Sequence, residues 1–408
     1  MYLPVFSVIF LFYIISKVLY RVNRLSLNNA CLRNDAHILG QISRGVQPMR
    51  IHIWTASYGH GYHKAALLLG KAAQAQQHEV IICKPLEQGH TVMHKLNKKL
   101  CSGLLSFAPG IWRKYSKQIP PVFIKKLYHV LQKPVQDGIG ADLVLSVHPL
   151  LTSLAAEGKK RSASPVPLYH VATDYWQAPF LNLSVHGFFL PDLNEKKGTS
   201  TGPPIFPTGI PTQKITKRYT KKECCLENGW NPSKPLILVD GRGEGIFSYR
   251  KVVKELKKIP TASTIVVVSG TRPWKKSKHV YGKDIHVLPL TDRFSDFLQA
   301  ADVMVTKAGG MTLAEAATHE TPMILFAPLA GRQEQNASYF AKQNAAFWAF
   351  TSKSMREKVK EYIRCPLERE RAKRRLRRIK QPESAEQIIT IAVHHASRTM
   401  LYSKINSK

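Results

Sequence analysis

Short apolar runs alternate with helical patterns along most of the chain, and this alternation limits the fold more than any other feature. The first unit is the apolar run 49–54 (MRIHIW), a glycine-bearing loop and a helical pattern at 64–77. A strand, a loop and a helix in this order are the unit of parallel α/β sheets. A second alternating series begins at Leu236, after a polar stretch rich in Gly, Pro, Lys and Thr. We therefore predict two doubly wound, Rossmann-like α/β domains that face each other across a cleft.

The chain length agrees with this division. It has 408 residues, and a single hydrophobic core rarely serves more than roughly 250 to 300 residues. The C-terminal helix follows the second domain and can pack back on the first domain. The predicted parts are an N-terminal hydrophobic helix at 1–24, a first domain at 49–200, an interdomain linker at 201–235, a second domain at 236–385 and a C-terminal helix at 386–408.

The first 20 residues are almost wholly apolar, with Ser7, Ser16 and Lys17 as interruptions. About 20 apolar residues are enough to span a bilayer as a helix. Basic residues follow this run instead of preceding it, which argues against a cleaved signal peptide and places the body of the protein in the cytoplasm. We predict an anchor at the cytoplasmic face of the cell membrane; an interfacial or buried helix is the alternative.

The charge of the chain is strongly unbalanced. Sixty Lys and Arg against 27 Asp and Glu give a formal net charge of +33, and such a surface attracts polyanions. No aromatic RNA-binding signature, zinc-finger spacing or recognition-helix pattern is present, so we predict an anionic membrane surface as the partner and no nucleic acid. The basic stretch 368–380 contributes to this prediction, although a charge run is usually a solvated helix face. Six cysteines without C-x-x-C spacing indicate neither a zinc site nor a disulfide framework.

Three glycine-bearing stretches of the second domain indicate a phosphate-binding site. The first, VDGRGEG at 239–245, directly follows an apolar strand, and its glycines allow backbone amides to approach a phosphate. By itself this motif is equally typical of a tight turn. The second stretch is TKAGGMTLAEA at 306–316, and the third is APLAGRQEQNA at 327–337. Three motifs in one order are more specific than any one of them.

These motifs resemble those of the glycosyltransferase family that contains monogalactosyldiacylglycerol synthases and bacterial processive diacylglycerol glucosyltransferases. The peptidoglycan lipid-intermediate N-acetylglucosaminyltransferase is a more distant relative. The resemblance extends over about residues 51 to 349. It implies the GT-B fold, with an acceptor-binding first domain and a donor-binding second domain. It also implies inverting transfer of a hexose from a UDP-sugar to a membrane lipid such as diacylglycerol, without a metal or another cofactor.

The donor site predicted from this resemblance centres on the helix that starts near Gly310. Amides at a helix start suit the charge of a pyrophosphate and of a departing UDP, and Lys307 adds a positive charge. Glu315 matches the family glutamate that holds the ribose hydroxyls. Arg332 stands where the family commonly has glutamine. The predicted donor-binding residues are Gly241, Gly243, Gly245, Lys307, Gly309, Gly310, Met311, Thr312, Glu315, Gln333, Glu334 and Asn336, the last three toward the sugar hydroxyls.

The loop 55–65 (TASYGHGYHKA) resembles the family's Gly-x-Gly-His loop at the acceptor cleft. Tyr62 stands at the usual histidine position, with His60 and His63 on either side of it. An imidazole that titrates near neutral pH suits a general base, so we predict that His60 or His63 is the base or a phosphate contact. A surface histidine at a helix start is the alternative. Asp174, in a Thr-Asp-Tyr that resembles the family's Thr-Asp-Phe, is predicted to orient the histidine or to act as base itself.

Departures from the family pattern leave other functions open. The family's histidine downstream of Asp174 is missing, and 176–179 (WQAP) stands in its place. His148 follows a strand and either lines the cleft or belongs to a turn. The alternatives are the same fold acting on a polyprenyl-linked or soluble acceptor, or a catalytically degenerate, membrane-attached binding protein.

Overall fold

The structure is a computed structural model, and its description covers most of the two predicted domains. The predicted N-terminal helix at 1–24 lies outside the described residues, as do Gly243 and Gly245. No helix in the described part of the chain is long and apolar enough to cross a membrane. The described residues are 47–56, 60–89, 121–175, 184–191, 202–215, 218–242, 249–270 and 284–406.

The described part of the first domain has six strands and five helices. The strands are β1 (Arg50–Trp54), β2 (Glu79–Cys83), β3 (Leu143–Ser146), β4 (Leu168–Val171), β5 (Gly187–Phe189) and β6 (Ile205–Phe206). The helices are α1 (His60–Ala75), α2 (Pro85–Gly89), α3 (Pro121–Val130), α4 (Gln132–Gly138) and α5 (Pro149–Ser162). All strand pairs are parallel, in the order β2-β1-β3-β4-β5-β6. Strands β3 and β4 are buried along their whole length, because a parallel sheet is covered on both faces.

The second domain repeats this architecture. Its strands are β7 (Leu236–Gly241), β8 (Thr264–Ser269), β9 (Ile285–Leu288), β10 (Val303–Thr306), β11 (Met323–Phe326) and β12 (Phe347–Ala349). The helices described in this part of the chain are α6 (Lys221–Glu227), α7 (Tyr249–Leu256), α8 (Phe294–Ala300), α9 (Gly310–Thr318), α10 (Arg332–Lys342), α11 (Ser352–Arg364), α12 (Pro366–Ile379) and α13 (Ser384–Asn406). The parallel sheet has the order β12-β11-β10-β7-β8-β9.

The prediction of two Rossmann-like α/β domains is confirmed. Each sheet reverses its strand order once, between β1 and β3 in the first and between β7 and β10 in the second. Ligands of open α/β sheets bind beyond the carboxyl ends of the strands at such reversals. The segments that follow these four strands contain the loop before α1, His148, Arg242 and the turn before α9. The topology therefore gathers most of the predicted motifs at two facing sheet edges.

Helices α13 and α9 both pack against the first domain. The last helix, α13, packs against α1 and β3, and its Ile388, Ile389 and Ala392 are buried in the core of the first domain. From the second domain, Met311 and Ala314 of α9 enter the same core. The start of α9 therefore lies directly against the first domain.

Replacing Gly138 with alanine tests the packing of the first domain. A Cβ atom at Gly138 would lie 2.8 Å from Cε2 of Trp54, whose side chain is fully buried. The Trp54 indole also donates to the Gly138 carbonyl oxygen at 3.0 Å, so neither partner has room to move. We expect Gly138→Ala to lower the free energy of unfolding by about 1 to 3 kcal/mol in urea denaturation. Gly202→Ala, where nothing lies within 4 Å, is the matched control, and equal losses in both variants would contradict this packing.

Candidate functional site

Helix α9 begins in the cleft and touches the first domain at its first residue. Strand β10 ends at Thr306, and Ala308 has a φ of 68°, which turns the chain so that Gly309 caps the helix and Gly310 starts it. The first amides of a helix have no partner inside the helix, so here they point into the cleft. A Cβ atom on Gly310 would overlap the carbonyl oxygen of Thr173 and lie 2.8 Å from Cα of Asp174. Only glycine allows this approach.

The Asp174 carboxylate lies at the start of α9. The Gly310 amide donates to it, and Nδ2 of Asn336 donates to Oδ1 at 2.9 Å. The Arg332 guanidinium lies 3.8 Å from Oδ2. Burial raises the pKa of Asp174 above its usual value, and the hydrogen bonds from Asn336 and Gly310 offset part of that rise. The Asp174 side chain therefore occupies the position predicted for a diphosphate, and this conformation has no space for a diphosphate beside Gly310.

The next residue, Tyr175, strengthens the contact between the domains. Its backbone amide donates to Oδ1 of Asn336 at 2.7 Å. Its ring stacks on Tyr339 with centroids 5.0 Å apart and meets Phe340 edge-on at 4.8 Å. Asn336 is fully buried and also donates to the carbonyl oxygen of Ala308 at 3.1 Å. Its amide group thus joins the end of β4 to the turn before α9, and its predicted contact with a sugar hydroxyl stays a prediction.

Glu315 is the sixth residue of α9, in the second turn of the helix. Its carboxylate accepts a hydrogen bond from Lys64, which belongs to α1 of the first domain. The other carboxylate oxygen lies 3.5 Å from Nη2 of Arg242. The carboxylate that is predicted to hold a ribose is therefore paired with two cations, one from each domain.

Arg242 follows β7 and is fixed on several sides. Its Nε donates to Asp240 at 2.8 Å, and its Nη2 donates to Thr312 at 3.1 Å. The guanidinium carbon lies 3.2 Å from the ring centroid of Phe294. Although burial opposes ionisation, the charge and hydrogen bonds of Arg242 hold the pKa of Asp240 below its usual value. An ionised, buried aspartate therefore aims Arg242 at the first turn of α9.

Two other predicted glycine-motif residues support this arrangement. The Lys307 ammonium donates to the backbone carbonyl of Arg242 at 2.8 Å. At Gly241 a Cβ atom would lie 2.9 Å from Cδ1 of Tyr249 and 3.1 Å from the carbonyl oxygen of Val268. Close packing therefore requires Gly241, independently of any ligand.

The third motif shapes the start of α10. Oε1 of Gln333 accepts from the Leu329 amide at 2.9 Å, and Oε2 of Glu334 accepts from the Gly331 amide at 3.0 Å. Gly331 has a φ of 90°, which favours glycine. These hydrogen bonds hold the loop before α10 in place. The predicted contacts of Gln333 and Glu334 with a donor sugar stay predictions.

On the first-domain side, α1 begins at His60, so His60 and His63 both belong to its first turn. The side chain of His60 lies outside the described residues, and His63 is partly buried. Tyr62 meets the His148 ring edge-on at 4.4 Å. Its ring centroid also lies 5.7 Å from the guanidinium carbon of Arg332. His148 is thus placed at the cleft, next to the residue that stands at the family's histidine position.

A buried polar chain that the sequence analysis missed lies behind this surface. Nδ1 of His170 lies 2.8 Å from Oγ1 of Thr152, which lies 2.9 Å from Oγ of Ser146. Ser146 in turn donates to the carbonyl oxygen of His148 at 3.3 Å. If His170 donates to Thr152, Thr152 to Ser146 and Ser146 to the His148 carbonyl oxygen, every hydroxyl proton has one acceptor. Nε2 of His170 is then unprotonated and can accept a hydrogen bond. A histidine inside the apolar run LYHV was the signal in the sequence.

A cavity of about 20 Å³ lies where these groups meet. This volume is enough for about one water molecule. Both domains contribute to its wall, because Arg332 comes from α10 and the other lining residues come from the first domain. The lining residues are Val147, Pro149, His170, Ala172, Thr173, Asp174 and Arg332.

Comparisons with known proteins show which glycosyltransferases this chain is similar to. The model of the glycosyltransferase family 28 C-terminal domain matches residues 247–389. A processive diacylglycerol beta-glucosyltransferase of Bacillus mycoides (strain KBAB4) is 26% identical over 380 residues, which cover 85% of this chain and 94% of the relative. The protein of the same name from Bacillus thuringiensis (strain Al Hakam) is 23% identical over 364 residues, which cover 83% of this chain and 92% of the relative. The chain is therefore a glycosyltransferase that is similar over most of its length to the processive diacylglycerol glucosyltransferases.

Solved structures share the fold of this glycosyltransferase. MurG of Acinetobacter baumannii matches with a TM-score of 0.58 and 15% identity, over 85% of this chain and 99% of MurG. The glycosyltransferase SsfS6 of Streptomyces sp. SF2575, in complex with thymidine diphosphate, matches with a TM-score of 0.56 and 12% identity, over 84% of this chain and 99% of SsfS6. The predicted GT-B arrangement of the two domains is thereby confirmed.

Replacing Gly310 with alanine tests the closed cleft of this glycosyltransferase. Because a Cβ atom there would overlap Thr173 and Asp174, we expect Gly310→Ala to separate the two domains. Small-angle X-ray scattering without ligand checks this as an increase in the radius of gyration. In Gly309→Ala the nearest atom to the new Cβ is Oγ1 of Thr312 at 3.7 Å, so this control keeps the wild-type radius. An unchanged radius for Gly310→Ala contradicts the contact.

The buried histidines predict how stability depends on pH. Burial lowers the pKa of His170 to about 4; burial, together with the neighbouring His170, lowers that of His148 to about 3. Both lie below the unfolded value of about 6.5, so their stabilising contribution is complete above pH 6.5 and is lost as the pH falls toward 4. We expect His170→Gln to reduce the slope of unfolding free energy against pH by up to about 1.4 kcal/mol per pH unit between pH 6 and 5. Urea denaturation at several pH values measures this slope, and an identical slope in both proteins contradicts the burial of a neutral His170.

Proposed function

We propose that this glycosyltransferase transfers a hexose from a UDP-sugar to the hydroxyl of a membrane lipid, with diacylglycerol as the first candidate acceptor. The observation that carries the proposal is the start of α9, where backbone amides, Glu315 and the cations Lys64, Arg242 and Lys307 converge. The names of the Bacillus relatives, which are diacylglycerol glucosyltransferases, support the choice of acceptor.

The proposed reaction is a single displacement without a metal ion. The acceptor oxygen forms a bond to C1 of the hexose as the bond between C1 and the phosphate oxygen breaks, and UDP leaves with the electron pair. Attack from the face opposite to UDP inverts the anomeric configuration. The amides of Gly310 and Met311 and the dipole of α9 stabilise the charge that develops on the leaving UDP. The acceptor proton passes to Asp174, His60 or His63, which lie on the first-domain side of the cleft.

Donor binding requires Asp174 to move. Its carboxylate accepts from the Gly310 amide in the closed conformation, and a diphosphate needs the same amide. We propose that the donor displaces the 173–175 segment and that Asp174 then turns from α9 toward the acceptor. The Asp174 carboxylate thereby becomes available as a base only after the donor is in place.

A stripe of exposed arginines supports the proposed membrane contact. Arg371, Arg374, Arg375 and Arg378 follow the i, i+3, i+4, i+7 spacing of one helix face on α12. The opposite face buries Ala372 and Leu376. Arginine binds phosphate groups strongly, so we propose that this stripe contacts an anionic leaflet at the cytoplasmic face of the membrane.

Binding and turnover of the donor test the proposed function. We expect the purified protein to bind UDP and to consume labelled UDP-hexose when diacylglycerol is present in anionic vesicles. Glu315→Gln removes the charge predicted to hold the ribose, and we expect it to weaken UDP binding at least tenfold, or about 1.4 kcal/mol. Glu361→Gln, at an exposed site on α11, is the matched control.

Three results decide between the alternatives. A product on a polyprenyl-linked or soluble acceptor, with none on diacylglycerol, changes the acceptor but keeps the reaction. UDP binding without turnover on any acceptor identifies a degenerate binding protein. If wild-type protein neither binds UDP nor consumes a UDP-sugar, the proposal fails.

A further inference from the structure

Lys64 crosses the cleft at the predicted donor site. It lies one turn into α1, and its ammonium donates to Glu315 of α9, 251 residues further along the chain. The starts of the two helices touch, because a Cβ atom on Gly61 would lie 3.4 Å from Cγ of Met311. The first domain thus supplies a cation directly beside the helix start at which the second domain is expected to bind phosphate.

The carboxylates around this helix start all lie beside cations of the chain. The cations are Lys64, Arg242, Lys307 and Arg332, and the carboxylates are Asp174, Asp240 and Glu315. Asp240 holds Arg242 in place from inside the second domain. Asp174, in contrast, accepts from the Gly310 amide, and Glu315 pairs with Lys64 and Arg242. A bound diphosphate would use this amide and these two cations. An entering diphosphate therefore replaces carboxylates that are already present, instead of adding charge to an empty crevice.

Lys64 is the cation best able to change its partner. The Arg242 guanidinium is held by Asp240, by Thr312 and by the Phe294 ring, and its side chain is 13% exposed. The Lys64 side chain is 37% exposed and has Glu315 as its hydrogen-bond partner. A lysine ammonium on a flexible four-carbon stem can follow a moving anion, whereas a fixed guanidinium cannot.

We propose that Lys64 is a donor-binding residue that the acceptor-side domain supplies. This inference rests on the proposed function. When a nucleoside diphosphate displaces Asp174 from α9, the Lys64 ammonium leaves Glu315 and binds the diphosphate. The Glu315 carboxylate is then free to accept from the ribose hydroxyls. In the absence of donor, the same ion pair holds α1 against α9.

After this exchange, the contact between Lys64 and the donor depends on the diphosphate. A nucleoside without phosphate offers Lys64 no anion, so it forms no ionic contact with the first domain. A nucleoside diphosphate replaces the carboxylate with a group of greater charge and more acceptor oxygens. Lys64 is therefore expected to discriminate between ligands that carry phosphates and ligands that do not.

Calorimetric titration of full-length variants with UDP and with uridine tests the proposal. We expect Lys64→Met to weaken UDP binding at least tenfold and to leave uridine binding unchanged or slightly stronger. Lys64→Arg keeps the charge and is expected to recover most of the UDP affinity. Lys71→Met, at an exposed lysine on the same helix, is the matched control and keeps wild-type affinity for both ligands. If Lys64→Met does not fold, as judged by its thermal unfolding, Lys64→Gln takes its place.

Each other outcome overturns the inference. Unchanged or tighter UDP binding in Lys64→Met identifies Lys64 as a closing contact only. Equal losses for UDP and uridine show that Lys64 acts through the position of Glu315, because uridine contacts the ribose site alone. If wild-type protein binds uridine and UDP equally, no cation of the site senses phosphate. If the wild-type protein binds neither ligand, the proposed function fails together with the inference about Lys64. In all the other outcomes the protein still binds UDP, so only the inference about Lys64 fails.

Discussion

The contact between the Asp174 carboxylate and the start of α9 determines the arrangement of the whole cleft. A helix start offers unpaired amides and a partial positive charge, and it must be satisfied by some anion or by water. Here the first domain provides that anion, and Gly310 allows it to approach. Asn336 donates to Asp174 and accepts from the Tyr175 amide, and the Arg332 guanidinium lies beside the Asp174 carboxylate. The cleft is closed by the same physical interaction that a diphosphate donor is expected to use.

The fold was readily predicted because its signals are local and repeated. Apolar strands that are each followed by a loop and a helix predict parallel α/β sheets, and the structure has twelve parallel strands among its described residues. The motifs after β7 and β10 were also predicted, since glycines directly after buried strands indicate close approach of the backbone. The ion pair between the two domains was not predicted. Lys64 and Glu315 are separated by 251 residues, and no local pattern connects a lysine in α1 with a glutamate in α9.

The first-domain site shows a different limit of sequence reasoning. The loop before α1 was compared with a family pattern, which drew attention to His60 and His63. Inside the apolar strand β4, His170 has no motif around it, yet its ring lines the cavity next to Asp174. Its partner Thr152 lies 18 residues earlier and comes near only because β3 and β4 are adjacent. Tyr62 and Arg332 stand at two positions that depart from the family pattern. They come from different domains and lie near each other only because the fold brings α1 and α10 to the same cleft.

The account depends on competition between an internal carboxylate and an external diphosphate for one helix start. A crystal structure of the protein with UDP tests this most directly. We predict that the diphosphate lies at the amides of Gly310, Met311 and Thr312, with the Asp174 carboxylate moved away from Gly310. A structure in which UDP is bound elsewhere while Asp174 still accepts from the Gly310 amide would contradict the account.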